Sequence, residues 1–430
     1  MIEVHQINGV SIVFYNNETS KTVKIESYIN EGCFNENLNN VGISHLLEHI
    51  CTDGWSKCKG ETCSQYWKKK GAILNASTGS VYINYYIKGL KEYANDMLDY
   101  IISISTNPII TENRIKQEKK AVENELQMHA THPQIELYNA LNNVLFNIEG
   151  LKHQDNIKKQ LKVLNNITFD KLKKWTDKYY VPNNILLCIS GDYDKEKIKN
   201  IIEKKTNNLK KSIIKYDYSN VFKKGVNVQY VKDKNSPNTT FFFTFHSPIF
   251  YTDKDVHLID FFSKFVNSEG TSLLMYELRE INKLIYNIKI DWATTQYGTY
   301  FLIETQTAKN NKISKIIEIT LDVLKKLVNG NFNSERLTWA KKSFQTDFHE
   351  KCNNNDFFST FYGEQYINQL YNIKKANILK PNQVLNHVKK INKSQLIKFI
   401  KKLINFSNMK IAYLGPKEVK NLLPLVLRKI

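Results

Sequence analysis

The chain has no C-x-x-C pair, no run of about 20 apolar residues, and no short repeat or low-complexity segment. The first absence makes its cysteines, at positions 33, 51, 58, 63, 188 and 352, read as reduced thiols of an intracellular protein, with Cys51, Cys58 and Cys63 close enough to leave a redox role open. The second excludes a transmembrane helix. The start, Met1-Ile2-Glu3-Val4 followed almost at once by a strand-like Val10–Tyr15, lacks a signal peptide or Arg-rich presequence. A soluble protein made where it works is the expectation, in the cytoplasm or alternatively in a mitochondrion or mitochondrion-derived organelle. The third absence excludes a solenoid. Acidic residues are also in deficit, 42 against 61 Lys and Arg, for a formal charge of +19. These lysines are spread along the whole chain, in runs such as Lys68-Lys69-Lys70 and Lys210-Lys211. Diffuse charge without groove-reading or stacking elements describes solvated faces and argues against a nucleic-acid site.

What is present suits packed cores: 430 residues, 42% hydrophobic and 12% aromatic, enough for two domains of about 200 residues. Apolar periodicity predicts strands at Gly9–Tyr15 and Lys24–Asn30, then a helix, strands at Ala72–Ser77 and Val81–Lys88, several helices including Thr111–Ala130 and Gln134–Phe146, and a buried strand at Ile185–Ser190. A Lys/Asn-rich stretch over 206–224 reads as a linker. The order then repeats: strands at Val226–Val231 and Thr239–Phe245, helices at Lys254–Val266 and Thr271–Ile281, strands at Tyr286–Trp292 and Thr299–Gln306, more helices, and a last strand at Met409–Leu414. The predicted division is 1–205, linker 206–224, and 225–430.

The chemistry concentrates in Gly42-Ile43-Ser44-His45-Leu46-Leu47-Glu48-His49-Ile50-Cys51, which contains H-x-x-E-H, the inverted zinc-protease pattern. At about 100° per residue, His45, Glu48 and His49 share one helical face, while Ile43, Leu46, Leu47 and Ile50 take the opposite one. Two imidazoles one turn apart can bind one metal ion, and a carboxylate beside them can take a proton from its water. A catalytic zinc site needs a third protein ligand. The helix 111–130 offers candidates: Glu118 and Glu125 fall with Val122 and Leu126 on its inner face, whereas Glu123 lies with Lys116 and Lys120 on the wet one. His129, one turn past Glu125, is a rival.

These residues resemble the pitrilysin-type zinc metallopeptidases, the family of insulin-degrading enzyme and mitochondrial processing peptidase. Glu118-Lys-Lys-Ala-Val-Glu-Asn-Glu125 is similar to the family's E-x6-E arrangement. The resemblance implies zinc, one per chain, held by His45, His49 and Glu125, with Glu118 in support and Glu48 as general base. Asn30-Glu31-Gly32-Cys33-Phe34-Asn35-Glu36 before Gly42 resembles the family's approach to the motif helix. Gly71–Thr78 resembles its active-site edge strand, which implies substrate contacts by Leu74, Asn75, Ala76 and Ser77. Gly270 to Tyr286 resembles a segment of the second half and implies that Arg279 positions substrate while Tyr286 contacts its carbonyl or oxyanion. Tyr179–Asn184 to Gly191-Asp192 looks like the close of the first domain. The turn Cys51-Thr-Asp-Gly-Trp-Ser-Lys-Cys58 departs from the family, which has a Lys-Gly-Thr-like turn there.

The fold implied is α+β: two homologous domains, each a mainly antiparallel sheet flanked by helices, closing like a clamshell. The function implied is a zinc endopeptidase acting on short or unfolded polypeptides, working as a homodimer or as a heterodimer with a related subunit. A silent scaffold subunit of the same fold and a basic nucleic-acid-binding protein are the rival readings. Relatives that became scaffolds have lost metal-site residues, and this chain keeps them.

Overall fold

The computed structural model describes residues 2–430 apart from 59, 131, 152–156, 215–219, 251, 252, 254, 268–271, 296 and 368–377. Two compact units form, and neither is contiguous in sequence: Met1–His129, Ile148–Asp217 and Lys351–Ile378 make the first, and Ala130–Asn147, Tyr218–Glu350 and Leu379–Ile430 the second.

The first unit is built on β1 (Ile2–Ile7), β2 (Val10–Asn16), β3 (Thr22–Ile29), β4 (Ile73–Thr78), β5 (Ile83–Leu90) and β6 (Ile185–Gly191), in the order β1-β2-β6-β3-β5-β4. Only β2 and β6 pair in parallel. The second unit is built on β7 (Asn227–Lys232), β8 (Thr239–Ser247), β9 (Ile288–Thr295), β10 (Gly298–Thr307) and β11 (Lys410–Gly415), in the order β7-β11-β8-β10-β9. Here only β7 and β11 are parallel. With β1 set aside, both sheets put the first strand beside the last in parallel, then the second, fourth and third. The repeat read in the sequence is therefore one of topology, and each half is a mainly antiparallel sheet flanked by helices.

Burial explains the strand compositions. Ile185-Leu-Leu-Cys-Ile-Ser-Gly is buried along its whole length because β6 lies inside the sheet, whereas β5 alternates buried Ile83, Tyr85 and Ile87 with half-buried residues. β3 is buried on both faces, including Lys24 and Glu26. The cover is the helix Asn355–Ile367, which packs on β2, β3 and β6. Lys24 Nζ lies 2.7 Å from Glu26, Thr360 Oγ1 bonds both side chains, and Lys88 pairs with Asp356 at 2.9 Å. In the second unit the helix α5 (Pro133–Leu145) packs on β7 and β11. One break between the compact units, at 217/218, lies within the segment 206–224, while 130–147 belong to the second unit and 351–378 to the first. A helix's apolar period shows that it has a face to bury, not which sheet will receive it.

Other boundaries moved for local reasons. Strand β1 was absent from the prediction, yet Asn8 and Gly9, with φ of 52° and 106°, make the tight turn that pairs it with β2. The predicted helix 271–281 is a single turn, Leu273–Met275, running into π-helical Tyr276–Ile281, and β9 starts after Tyr286. Gly270 and Thr271 of the resembling segment lie outside the described residues. Among the described residues, no helix is long and apolar enough to cross a membrane.

Candidate metal centre

The motif forms α1 (Ile43–Thr52), with Ile43, Leu46, Leu47 and Ile50 buried in the core of the first unit. Burying each such side chain contributes about 2 kcal/mol, so the apolar face fixes which residues point outward. Gly42 sits in the left-handed region at φ 86° and has no side chain to cap the helix. Glu36 caps it instead, accepting from the backbone N–H of Gly42 at 2.9 Å and of Ser44 at 3.0 Å.

On the outward face His45 and His49 point their Nε2 atoms at one another, 3.2 Å apart. The third member comes from α4 (Glu112–Ala130): Glu125 Oε2 lies 3.5 Å from His45 Nε2 and 3.6 Å from His49 Nε2. A tetrahedral zinc with bonds of about 2.0–2.2 Å sets neighbouring ligand atoms about 3.3–3.6 Å apart. The three atoms have the spacing of three such corners, and the donor set of two imidazoles and a carboxylate is one zinc accepts. Among the described residues, this is the group of His, Cys, Asp and Glu side chains that converges in this way. Glu118, one turn before Val122, reaches His49 Nδ1 at 3.3 Å. His129 is exposed at the end of α4 and outside the group, and Glu123 accepts from Gln127 on the exposed face.

Burial holds the His45 imidazole below its ordinary pKa, while the hydrogen bond that His49 donates to Glu118 pulls His49 above it. Burial pushes the Glu48 carboxyl up, against the opposing hydrogen bond from Thr78. Thr78 Oγ1 donates to Glu48 Oε2 at 2.9 Å and so ties the end of β4 to the metal helix. Among the described residues, β4 ends its sheet and pairs only with β5. Along it Ile73, Asn75 and Ser77 are exposed, while Leu74 and Ala76 lean on the core. Arg279 and Tyr286 lie in the second unit, the guanidinium 5.3 Å from the ring centre, and Tyr286 is 74% exposed.

Behind α1 lies a second buried carboxyl. Ser44 Oγ donates to Glu31 at 2.5 Å, and burial raises the Glu31 pKa to about 8, with the charge of Glu36 adding to the rise. Folded protein thus keeps this proton at pH values where the unfolded chain, with a carboxyl near 4.5, has lost it. The sign follows: the contribution is fully present below about 4.5 and is lost, at about 1.4 kcal/mol per pH unit, as pH rises toward about 8. Glu31→Gln, an amide shaped like the neutral acid, is expected to remove that loss. Denaturant midpoints from pH 5 to 9 check it: the variant should gain on wild type as pH rises, and parallel curves would refute the assignment.

One expectation is corrected. Cys58 and Cys63 form a disulfide, so these two are not the reduced thiols that the absence of a C-x-x-C pair suggested; Cys33, Cys51, Cys188 and Cys352 are free. Proximity of Cys58 to Cys63 was the available signal, and the fold supplies the rest by starting α2 (Cys63–Lys68) beside the end of α1. The sequence places Thr78 and Glu36 within resembling segments without showing the hydrogen bonds that they make, and it does not show the ion pair of Arg114 with Asp53. Arg114 lies one turn before Glu118, a spacing that pointed to it; Asp53 had no periodic signal.

Two family models match in tandem: "Insulinase (Peptidase family M16)" over residues 11–155 and "Peptidase M16 inactive domain" over residues 166–344. The chain belongs to peptidase family M16. An uncharacterized zinc protease of Rickettsia felis is 21% identical to it over 414 residues, covering 96% of this chain and 97% of that protein. The uncharacterized zinc protease YmxG of Bacillus subtilis is 29% identical over 194 residues, 45% of this chain. That match spans about half of YmxG, 47% of its length. Among solved structures, a protease from Helicobacter pylori shares the M16 fold with a TM-score of 0.82 at 19% identity, covering 97% of this chain and 100% of that one.

Proposed function

We propose that this M16 chain is a zinc-dependent endopeptidase that hydrolyses short or unfolded polypeptides. The observation that carries the reading is the convergence of His45, His49 and Glu125 at ligand spacing with Glu48 on the same helical face. His45, His49 and Glu125 would hold one zinc, which supplies Lewis acidity toward the peptide carbonyl and acidifies a water. Glu48 is the residue that takes a proton from an attacking water at its carboxylate and passes it to the leaving amide nitrogen. Burial makes its carboxylate a stronger base than a solvated one, and the Thr78 hydroxyl keeps it aimed. Glu118 fixes the ring plane of His49 by holding Nδ1.

The free edge of β4 accepts an extended substrate backbone as an added strand, with Leu74, Asn75, Ala76 and Ser77 alongside it. Arg279 and Tyr286 are assigned, by family resemblance, to positioning the substrate and stabilising its oxyanion. The chain acts as a pair, with itself or with a related subunit.

Strand addition requires an extended segment. Purified zinc-loaded protein is therefore expected to cut a quenched library of unfolded peptides and to spare compact domains. A +19 chain should also cut neutral or acidic peptides at least as well as strongly basic ones, with the preference shrinking as salt rises. Equal cleavage of folded domains would remove strand addition. A preference for basic peptides at low salt would remove the charge argument.

A further inference from the structure

Behind His49 runs a line of contacts that ends at the disulfide. Glu118 spends one carboxylate oxygen, Oε2, on His49 Nδ1 at 3.3 Å, and its other, Oε1, lies 3.6 Å from Arg114 Nε. The Arg114 guanidinium pairs in turn with Asp53, the residue that closes α1. The second oxygen of Asp53 accepts from the backbone N–H of Cys63 at 2.6 Å, and Cys63 is bonded to Cys58 five residues away. These side chains are largely shielded, with 13% of Asp53, 21% of Arg114 and 20% of Glu118 exposed. Ion pairs so placed are screened less than surface ones.

We propose that Arg114 and Asp53 are positioning residues for the metal ligand His49, and that the Cys58–Cys63 disulfide holds the far end of this relay, so that zinc is held more tightly in the oxidised protein than in the reduced one. The inference rests on the zinc reading of His45, His49 and Glu125. A carboxylate with a partner at one oxygen can swing about its last torsion; a cation 3.6 Å from the other oxygen, an ion-pair rather than a hydrogen-bond distance, biases it toward the orientation that faces Nδ1. Arg114 supplies that charge, and Asp53 keeps the guanidinium from swinging out to solvent. The disulfide limits how far the Cys63 N–H can move from Asp53. Reduction by a dithiol breaks the S–S bond: two electrons and two protons pass to Cys58 and Cys63, giving two thiols, and the dithiol leaves as its own disulfide. The Cys63 N–H then keeps its place through the burial of Cys63 and its bond to Asp53, without the covalent tie to Cys58.

The test measures zinc affinity of the full chain by competition with a chromophoric chelator, together with the melting of the zinc-free proteins. Arg114→Gln is expected to hold zinc about 10-fold more weakly, and Asp53→Asn roughly threefold, with zinc-free melting unchanged. Arg114→Lys, which keeps a cation near Asp53, should fall between wild type and Arg114→Gln. Because the contacts act in series, the double variant should be no worse than Arg114→Gln alone. Reduction with a water-soluble phosphine, which does not strip zinc as dithiols do, should weaken wild type roughly threefold and leave the Cys58→Ser/Cys63→Ser variant, already at that level, unmoved. Additive losses, or losses that follow a drop in zinc-free melting, would make the pair a mere tether between helices and overturn the proposal. So would wild-type affinity in Arg114→Gln or no response to reduction. Wild type that binds no zinc would fail the metal reading itself, whereas zinc-binding wild type with unaffected variants fails this inference alone.

Discussion

Glu48→Gln is expected to lower peptide hydrolysis by at least about 100-fold while one zinc per chain is retained. The separation of the two effects comes from geometry. Glu48 shares the outward face of α1 with His45 and His49, yet its contact is Thr78 Oγ1 on β4, not the converging ligand atoms. An amide at that position can still accept from Thr78, so the strand and the helix stay joined and the variant should fold as wild type does. What it loses is a group that can take a proton. The raised carboxyl matters for the same reason: burial makes Glu48 a better base than a solvated glutamate, and no neutral side chain replaces that. Metal analysis and turnover on one preparation decide the matter. Full activity in the variant would remove Glu48 from the chemistry, and loss of zinc along with activity would make it a ligand.

Residues whose role follows from their own element were legible in the sequence. The apolar stripe of α1 places His45, Glu48 and His49 on one face, and helical geometry alone separates Glu118 and Glu125 from Glu123. The same periodicities locate ten of the eleven strands among the described residues, and the repeated order. Features that depend on what another segment covers were not legible. Lys24 and Glu26 look like wet positions of a half-exposed strand until the helix 355–367, more than 300 residues away, closes over them. Asp53 reads as a helix-end acid, and only the fold brings Arg114 and the Cys63 N–H to it. The interleaving of the two units has the same origin, since α5 and the helix 355–367 have faces to bury and nothing local to say where.

The second large effect is expected at Glu125. Glu125→Gln exchanges a charged ligand oxygen, 3.5 and 3.6 Å from the two imidazoles, for a neutral amide, and should lose zinc by more than the about 10–100-fold that a supporting partner is worth. Glu118→Gln should fall within that smaller range, because it removes a charge from Nδ1 of His49 without vacating a ligand position. Glu123→Gln should lie within about 0.5 kcal/mol of wild type in stability and leave zinc in place, since Glu123 accepts from Gln127 on the exposed side and is outside the convergent group. His129→Ala should likewise hold zinc, being outside the convergent group. Four variants on one helix thus form a graded series that a general loss of helix stability could not reproduce, because Glu123 lies between the two acids in sequence and is expected to do nothing. Zinc titrations of the set would read it directly. If His129→Ala empties the site while Glu125→Gln does not, the third ligand is His129, and the end of α4 must rearrange on binding metal.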